Sequence, residues 1–257
     1  MPRVIAHLSD LHFGTVPPGA VEALAVDIAA ARPDLVAVTG DLTQHADPGE
    51  FAEAKRFLAA LPCPWIAVPG NHDIPRFGFG ERLFDPFGRW RRHLALPTEP
   101  VFDDGEMLVI GVNTVRRTAA HLDWSAGRVS GAQVARIARL ADERRGRRIV
   151  IALHHPVRHP RWAAGRRALG RGGAMLRALR PFGVDALLAG HLHRAIAGGA
   201  KARPVELVAG SALSARDGGE GNSYNLVSLS GDGLGVTVRR HIDGCWCERH
   251  PGVAGVP

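Results

Sequence analysis

Cysteine is scarce in this 257-residue chain: Cys63, Cys245 and Cys247 are all it has, too few for a disulfide framework. Cys245-Trp246-Cys247 offers two thiolates with no second pair nearby, which makes a poor zinc site. Lysine is scarcer still, since Lys55 and Lys201 are the only two among 32 basic residues. The net charge of +7 is therefore carried by arginine spread through an alanine- and glycine-rich chain, not by one dense basic arm. Arg144-Arg145 with Arg147-Arg148, and Arg89 with Arg91-Arg92, read as short clusters covering helix ends and solvated faces. This balance suits an anionic substrate without identifying one. No apolar run approaches the roughly 20 residues that span a bilayer. The opening Met1 to Leu8 is too short and polar for a secretory signal and reads as a core strand. A cytoplasmic enzyme without a membrane span is expected.

What is present is enough apolar material, 46% of the residues, for one sizeable core. A charged fraction of 22% gives no sign of wholesale disorder. Neither a repeat nor a linker divides the chain, so one domain over residues 1–257 is expected. The first third alternates strand and helix. Val4 to Leu8, Leu35 to Val38 and Trp65 to Val68 read as buried strands. Val21 to Ala31 places Leu24 and Ile28 at helical spacing. A second helix starts with Asp47 as N-cap, Pro48 in the first position and Glu50 in the third. This βαβαβ unit predicts parallel strands. From Ile74 to about Pro100 the period is lost, and Phe77, Phe79, Phe84, Phe87 and Trp90 read as aromatics on a loop packed against the core. Further strands are read at Met107 to Val112, Ile149 to Leu153 and Ala186 to Ala189, with a helix capped by Ser130. The tail turns to β at Val205 to Ala209, Tyr224 to Leu229 and Leu234 to Val238.

Five short motifs stand where these strands end: Asp10-Leu11-His12, Gly40-Asp41, Gly70-Asn71-His72-Asp73, His154-His155-Pro156 and Gly190-His191-Leu192-His193. Ligands of open α/β sheets bind outside the carboxyl ends of strands, so metal-capable side chains from distant sequence converge on one edge. Each motif alone has an ordinary explanation as a helix cap, a turn or a strand end. All five in this order make coincidence a poor one. Imidazole, carboxylate and amide oxygen suit Mn, Fe, Zn or Co. One carboxylate shared by two cations would hold them roughly 3.5–4 Å apart, the spacing of two-metal phosphoryl chemistry, where a bridging water ionises near neutral pH.

The ordered set resembles the calcineurin-like metallophosphoesterase superfamily from Asp10 to His193. The resemblance implies two mixed β-sheets packed as a sandwich flanked by helices, and two divalent or trivalent metal ions. By position it implies Asp10, His12 and His193 on the first metal, Asn71, His154 and His191 on the second, and Asp41 bridging them. It implies that His72 contacts the substrate phosphate and assists the leaving group, with Asp73 supporting from behind and His155 structural or pocket-lining. Ser9-Asp10-Leu11-His12, Gly40-Asp41-Leu42-Thr43 and Asn222-Ser223-Tyr224-Asn225 look most like the bacterial class III cyclic-nucleotide phosphodiesterases. The expected substrate is thus a small phosphodiester, such as a 3',5'-cyclic nucleotide or a glycerophosphodiester. The alternatives are a nuclease, suggested by the arginines, and a phosphomonoesterase or pyrophosphatase on the same core. A nucleic-acid partner is disfavoured, because no aromatic-plus-basic stacking pattern accompanies the arginines. A dead scaffold is disfavoured too, because all the ligand positions hold competent residues. The segment from Ile74 to Pro100 and the C-terminal tail are where a pocket wall or a homo-oligomer contact could arise.

Overall fold

The computed structural model of the chain describes residues 2–76, 79–117, 125–144, 146–197, 203–216, 219–231 and 233–249. Phe77, Arg145, Lys201 and the tail from 250 lie outside them. Strands β1 (Arg3–Leu8), β2 (Leu35–Thr39) and β3 (Trp65–Val68) alternate with helices α1 (Ala20–Ala31) and α2 (Pro48–Ala59). They lie side by side and parallel, as the alternation predicts. After the short helices α3 (Phe79–Phe84) and α4 (Gly88–Leu94) come β4 (Val101–Asp103), β5 (Met107–Val112), α5 (Gly131–Glu143), β6 (Arg148–Leu153), α6 (Gly172–Leu179) and β7 (Ala186–Ala189). The chain ends in β8 (Ile196–Ala197), β9 (Val205–Val208), β10 (Ser223–Ser230), β11 (Gly233–Ile242) and β12 (Cys245–Arg249).

Two six-stranded mixed sheets result, ordered β12-β11-β10-β1-β2-β3 and β4-β5-β6-β7-β9-β8. Alternation along each strand decides what each sheet touches. Ile5, Leu35, Met107, Val109, Val150 and Leu188 point inward and form the core between the sheets. Their neighbours Ala6, Leu8, Val36 and Val38 face outward onto Leu24 and Ile28 of α1 and Phe51 and Phe57 of α2. In the second sheet Leu108, Ile110, Ile149 and Ile151 face Ile137 of α5 and Met175 of α6. Strands buried on both faces must be apolar throughout, which is why their sequences read as continuous hydrophobic runs.

The caps follow the expected chemistry. Glu50 Oε2 accepts the Asp47 backbone N–H at the start of α2 (3.2 Å). Ser130 Oγ accepts the Gln133 N–H at the start of α5 (3.1 Å), while Gln133 Oε1 accepts that of Ser130 (2.8 Å). The segment from Ile74 to Pro100 differs from the loop expected, because it holds both α3 and α4. These helices have six and seven residues, too short for periodicity to declare itself, and tertiary contacts secure them. Trp90 is fully buried with its Nε1–H donated to Leu96 O, and Arg89 ties Glu81 of α3 to the Ala46 carbonyl. The aromatics there do not all pack inward: Phe84 is 80% exposed. The described arginines of both clusters are paired: Arg89 and Arg92 with Glu81, Arg91 with Asp85, Arg144 and Arg147 with Asp103, Arg148 with Asp185. No described helix is long and apolar enough to cross a membrane.

Candidate metal centre

The carboxyl ends of β1, β2 and β3 in one sheet and of β6 and β7 in the other open onto one edge of the sandwich. All five motifs meet there. Asp10, His12, Asp41 and His154 are buried, while Asn71, His72, His191 and His193 are partly exposed. Backbone bonds lock the loops together: Asp10 N–H donates to Gly40 O, His12 N–H to Asp41 O and Gly190 N–H to His154 O.

The backbone itself is unusual. Asp10, His12, Asp41, His191 and His193 all have left-handed conformations, with φ between 47° and 71°. Asp and His tolerate this region better than most residues, yet each instance costs on the order of 1–3 kcal/mol and such residues gather at functional sites. The turn aims successive side chains into the same space. Gly190 is required by proximity, since a Cβ there would lie 1.7 Å from Ser9 Oγ and 2.6 Å from Asp10 Oδ2. At Gly70 it would lie 2.2 Å from Asp41 Oδ1.

Asp41 sits at the centre. Its Oδ1 accepts the His72 backbone N–H (2.8 Å). Its Oδ2 lies 3.3 Å from His154 Nε2 and 3.8 Å from His12 Nε2. His12 Nε2 and His193 Nε2 lie 3.8 and 3.6 Å from Asp10 Oδ1. His154 Nε2 lies 3.2 Å from Asn71 Oδ1. Burial lowers His12 to a pKa of about 4, against the pull of Asp41 and Asp10, so its contacts are not ion pairs at neutral pH. Burial also holds His191 well below its ordinary value, reinforced by His155 and His154. Burial alone would lower His154, but Asp41, Asp10 and the Thr39 carbonyl push it up to about 9. Burial alone would raise Asp41, yet His154, His72 and His12 hold it well below the carboxylate range.

The donor set fits metal ions. Asp10 Oδ1 and both ring nitrogens of His12 are buried with no hydrogen-bond partner, a costly state for polar atoms unless something else satisfies them. Metal–ligand bonds of about 2.0–2.2 Å put neighbouring donors roughly 3–3.6 Å apart, close to the separations above. Among the described residues, Asp10, His12 and His193 form one group able to hold a cation, and Asp10, Asp41 and His154 another. His154, His155 and His191 form a third, with His12, Asp41 and His72 beside it. Further bonds orient the rings. His154 Nδ1 donates to Thr39 O (2.7 Å), leaving Nε2 toward Asp41. Ser211 Oγ donates to Arg216 O (2.6 Å) and so accepts from His193 Nδ1 (2.6 Å), leaving that Nε2 toward Asp10.

Asp73 does not face this space. Its carboxylate accepts the backbone N–H groups of Leu42, Thr43 and Gly70 and the Thr43 hydroxyl, clamping the loop that carries Asp41 to the loop that carries Asn71. Burial, with Asp41 adding to it, raises its pKa to about 6. His155 hydrogen-bonds Thr114 through Nδ1 (2.7 Å). His72 donates from Nδ1 to Gln44 O (2.8 Å) and turns Nε2 to Arg216 (3.2 Å). A cleft of about 260 Å³ adjoins it, lined in part by Gln44, Asn71, His72 and Ile74. Sequence reasoning missed Ser211 and Arg216, whose loop after β9 carries no strand-end His or Asp motif. Arg158 and Arg194, close to ligands in sequence, reach Glu206 and Glu220.

A family model described as calcineurin-like phosphoesterase matches residues 3–195. A probable cyclic nucleotide phosphodiesterase from Synechococcus is 29% identical over 164 residues, covering 59% of this chain and 57% of that protein. A glycerophosphodiester phosphodiesterase from Enterobacter lignolyticus is 36% identical over 81 residues, covering 27% of this chain and 29% of that protein. The chain thus spans little more than half, or less, of these relatives' lengths. Among solved structures, a dimetal phosphatase from Danio rerio superposes with a TM-score of 0.68 at 14% identity, over 96% of this chain and 99% of that one. A purple acid phosphatase from yellow lupin does so with a TM-score of 0.64 at 12% identity, over 96% of this chain and 53% of that one. These likenesses establish the fold.

Proposed function

The chain belongs to the calcineurin-like phosphoesterase family, and from that premise we propose that it is a binuclear metal-dependent phosphodiesterase acting on a small diester. Asp10, His12 and His193 would hold one cation and Asn71, His154 and His191 the other, with Asp41 shared between them. The observation that carries this reading is Asp41 Oδ2, which lies 3.8 Å from His12 Nε2 and 3.3 Å from His154 Nε2. Two cations held there would supply a hydroxide nucleophile at neutral pH and neutralise charge on the phosphate oxygens.

The chain's own residues do the rest. With a cation in place of the His154 proton, the amide and imidazoles of the second pocket would be neutral donors, while the two carboxylates, Asp10 and Asp41, both border the first. His72, held by Gln44 at the cleft, contacts the phosphate, and its Nε2, once released by Arg216, takes up a proton from solvent and passes it to the departing alcohol as the P–O bond breaks. Asp73 keeps the loops of Asp41 and His72 in register. A single in-line displacement inverts configuration at phosphorus, and no serine or cysteine nucleophile is needed. The names of the Synechococcus and Enterobacter relatives favour a diester, a cyclic nucleotide or a glycerophosphodiester. The pairing of the clustered arginines with carboxylates weighs against a long basic groove for nucleic acid.

The test is hydrolysis of bis(p-nitrophenyl) phosphate against p-nitrophenyl phosphate by protein reconstituted with Mn²⁺. Faster diester cleavage, abolished by chelation and restored by metal, is expected. Faster monoester cleavage would make the protein a phosphatase, and activity indifferent to chelation in metal-free buffer would remove the metal mechanism.

A further inference from the structure

We propose that Arg216 grips a non-bridging oxygen of the scissile phosphate beside His72, an inference that rests on the phosphoesterase reading above. Arg216 follows β9, which runs parallel to β7, so it emerges from the same edge of the sheet as the candidate ligands. The loop that carries it is fastened to the metal-facing residues. Ala212 N–H donates to Ser9 O (3.0 Å), and Ser211 joins the Arg216 carbonyl to the His193 ring. Arg216 N–H donates to Ser214 Oγ (2.9 Å), which in turn meets Thr15 Oγ1 (3.2 Å). The backbone at Arg216 is therefore placed by the same bonds that orient His193, although the side chain is exposed.

The guanidinium is aimed at the reacting region. Its Nη1 donates to His72 Nε2 (3.2 Å) and approaches Gln44 Oε1 (3.4 Å), two residues that line the cleft. Both acceptors are neutral. A phosphate oxygen carries charge, and charge-assisted hydrogen bonds are roughly twice as strong as neutral ones. An incoming phosphate is thus a better acceptor than those now in use. Arginine is always charged and its planar fork of donors matches phosphate geometry. Leaving Nε2 for a phosphate oxygen would also free the His72 atom that faces the departing group. Arg216 would then act on substrate directly and on His72 by releasing it.

The experiment compares Mn²⁺-reconstituted wild type with Arg216→Ala, Arg216→Gln and Arg216→Lys. It measures bound Mn per chain, the thermal midpoint, the dissociation constant of inorganic phosphate by calorimetry, and kcat and KM on bis(p-nitrophenyl) phosphate. Losing one charged hydrogen bond predicts phosphate binding weakened about 10- to 100-fold in the Ala and Gln variants, with kcat/KM reduced alongside. Mn content and thermal midpoint should hold, and lysine should recover part of the phosphate affinity. Phosphate affinity and kcat/KM within about two-fold of wild type would overturn the assignment, as would a loss that only follows falling Mn content. If fully loaded wild type neither binds phosphate nor cleaves any ester, the parent reading fails and takes this inference with it. An active wild type with indifferent variants sinks only the role of Arg216.

Discussion

In the proposed reading Asp10, His12 and His193 form one pocket beside Asp41, and Asn71, His154 and His191 form the other. The first pocket owns a second carboxylate and holds three unpartnered buried atoms, Asp10 Oδ1 and both nitrogens of His12, while beside the second His155 Nε2 is unpartnered. The second pairs imidazoles with a neutral amide, and its His154 is anchored by Thr39 O and drawn toward Asp41. The anchors differ as well. His193 depends on one hydroxyl, Ser211, from a loop beyond β9, whereas His154 is held by the backbone of β2, inside a sheet. Two pockets that share an oxygen can thus differ in charge and in what keeps their rings in place. We expect the carboxylate-rich pocket to bind its cation more tightly, and the hydroxyl-anchored ring to be the easier one to disturb.

The sharpest way to break this comparison is Asp41→Asn. It removes the negative charge common to both pockets, so both metals should be lost together. Turnover should then fall by more than the roughly 10⁴-fold that a single acid–base group supplies. Metal analysis that finds one site still filled would show that Asp41 belongs to one pocket only. His72→Ala should leave both metals in place and lower kcat by about 10²–10⁴-fold; unchanged turnover would take His72 out of the proton delivery. Ser211→Ala separates the pockets, because groups that orient a ligand are typically worth 10–100-fold in metal affinity. A stepwise Mn²⁺ titration should show the first site weakened by about that factor and the second unmoved; equal weakening would erase the asymmetry. The smallest effect is expected far from the site. Ser130→Ala removes the cap of α5 and should cost about 1 kcal/mol of stability, read as a small drop in thermal midpoint, with both metals retained.

Much of the site was legible because strand ends announce themselves. A buried run such as Ile149 to Leu153 closing on His154, or Ala186 to Ala189 closing on Gly190-His191, tells where a side chain emerges without a structure. The parallel pairing of β1, β2 and β3 followed from the same alternation. The short helices α3 and α4 were not legible. Gly88 opens α4 without a side-chain cap, and what steadies the segment is Trp90 in the core and Arg89 on Glu81. The edge strands β4, β8 and β12 were missed for a related reason, since each has five residues or fewer and depends on a partner already in place.

By itself the sequence determined which residue types are available at the ends of the core strands, and thereby the chemistry of a metal-dependent phosphoesterase. It also determined the two-sided burial of those strands, because continuous apolar runs have nowhere else to go. Only the tertiary structure decided the rest. Left-handed turns at Asp10, His12, Asp41, His191 and His193 aim the side chains, close approaches at Gly70 and Gly190 bring the loops together, and a distant loop delivers Ser211 and Arg216. These depend on contacts between segments up to about 200 residues apart, such as Thr15 with Ser214. Local propensity carries no information about such pairs, because neither partner is constrained until both sheets have formed.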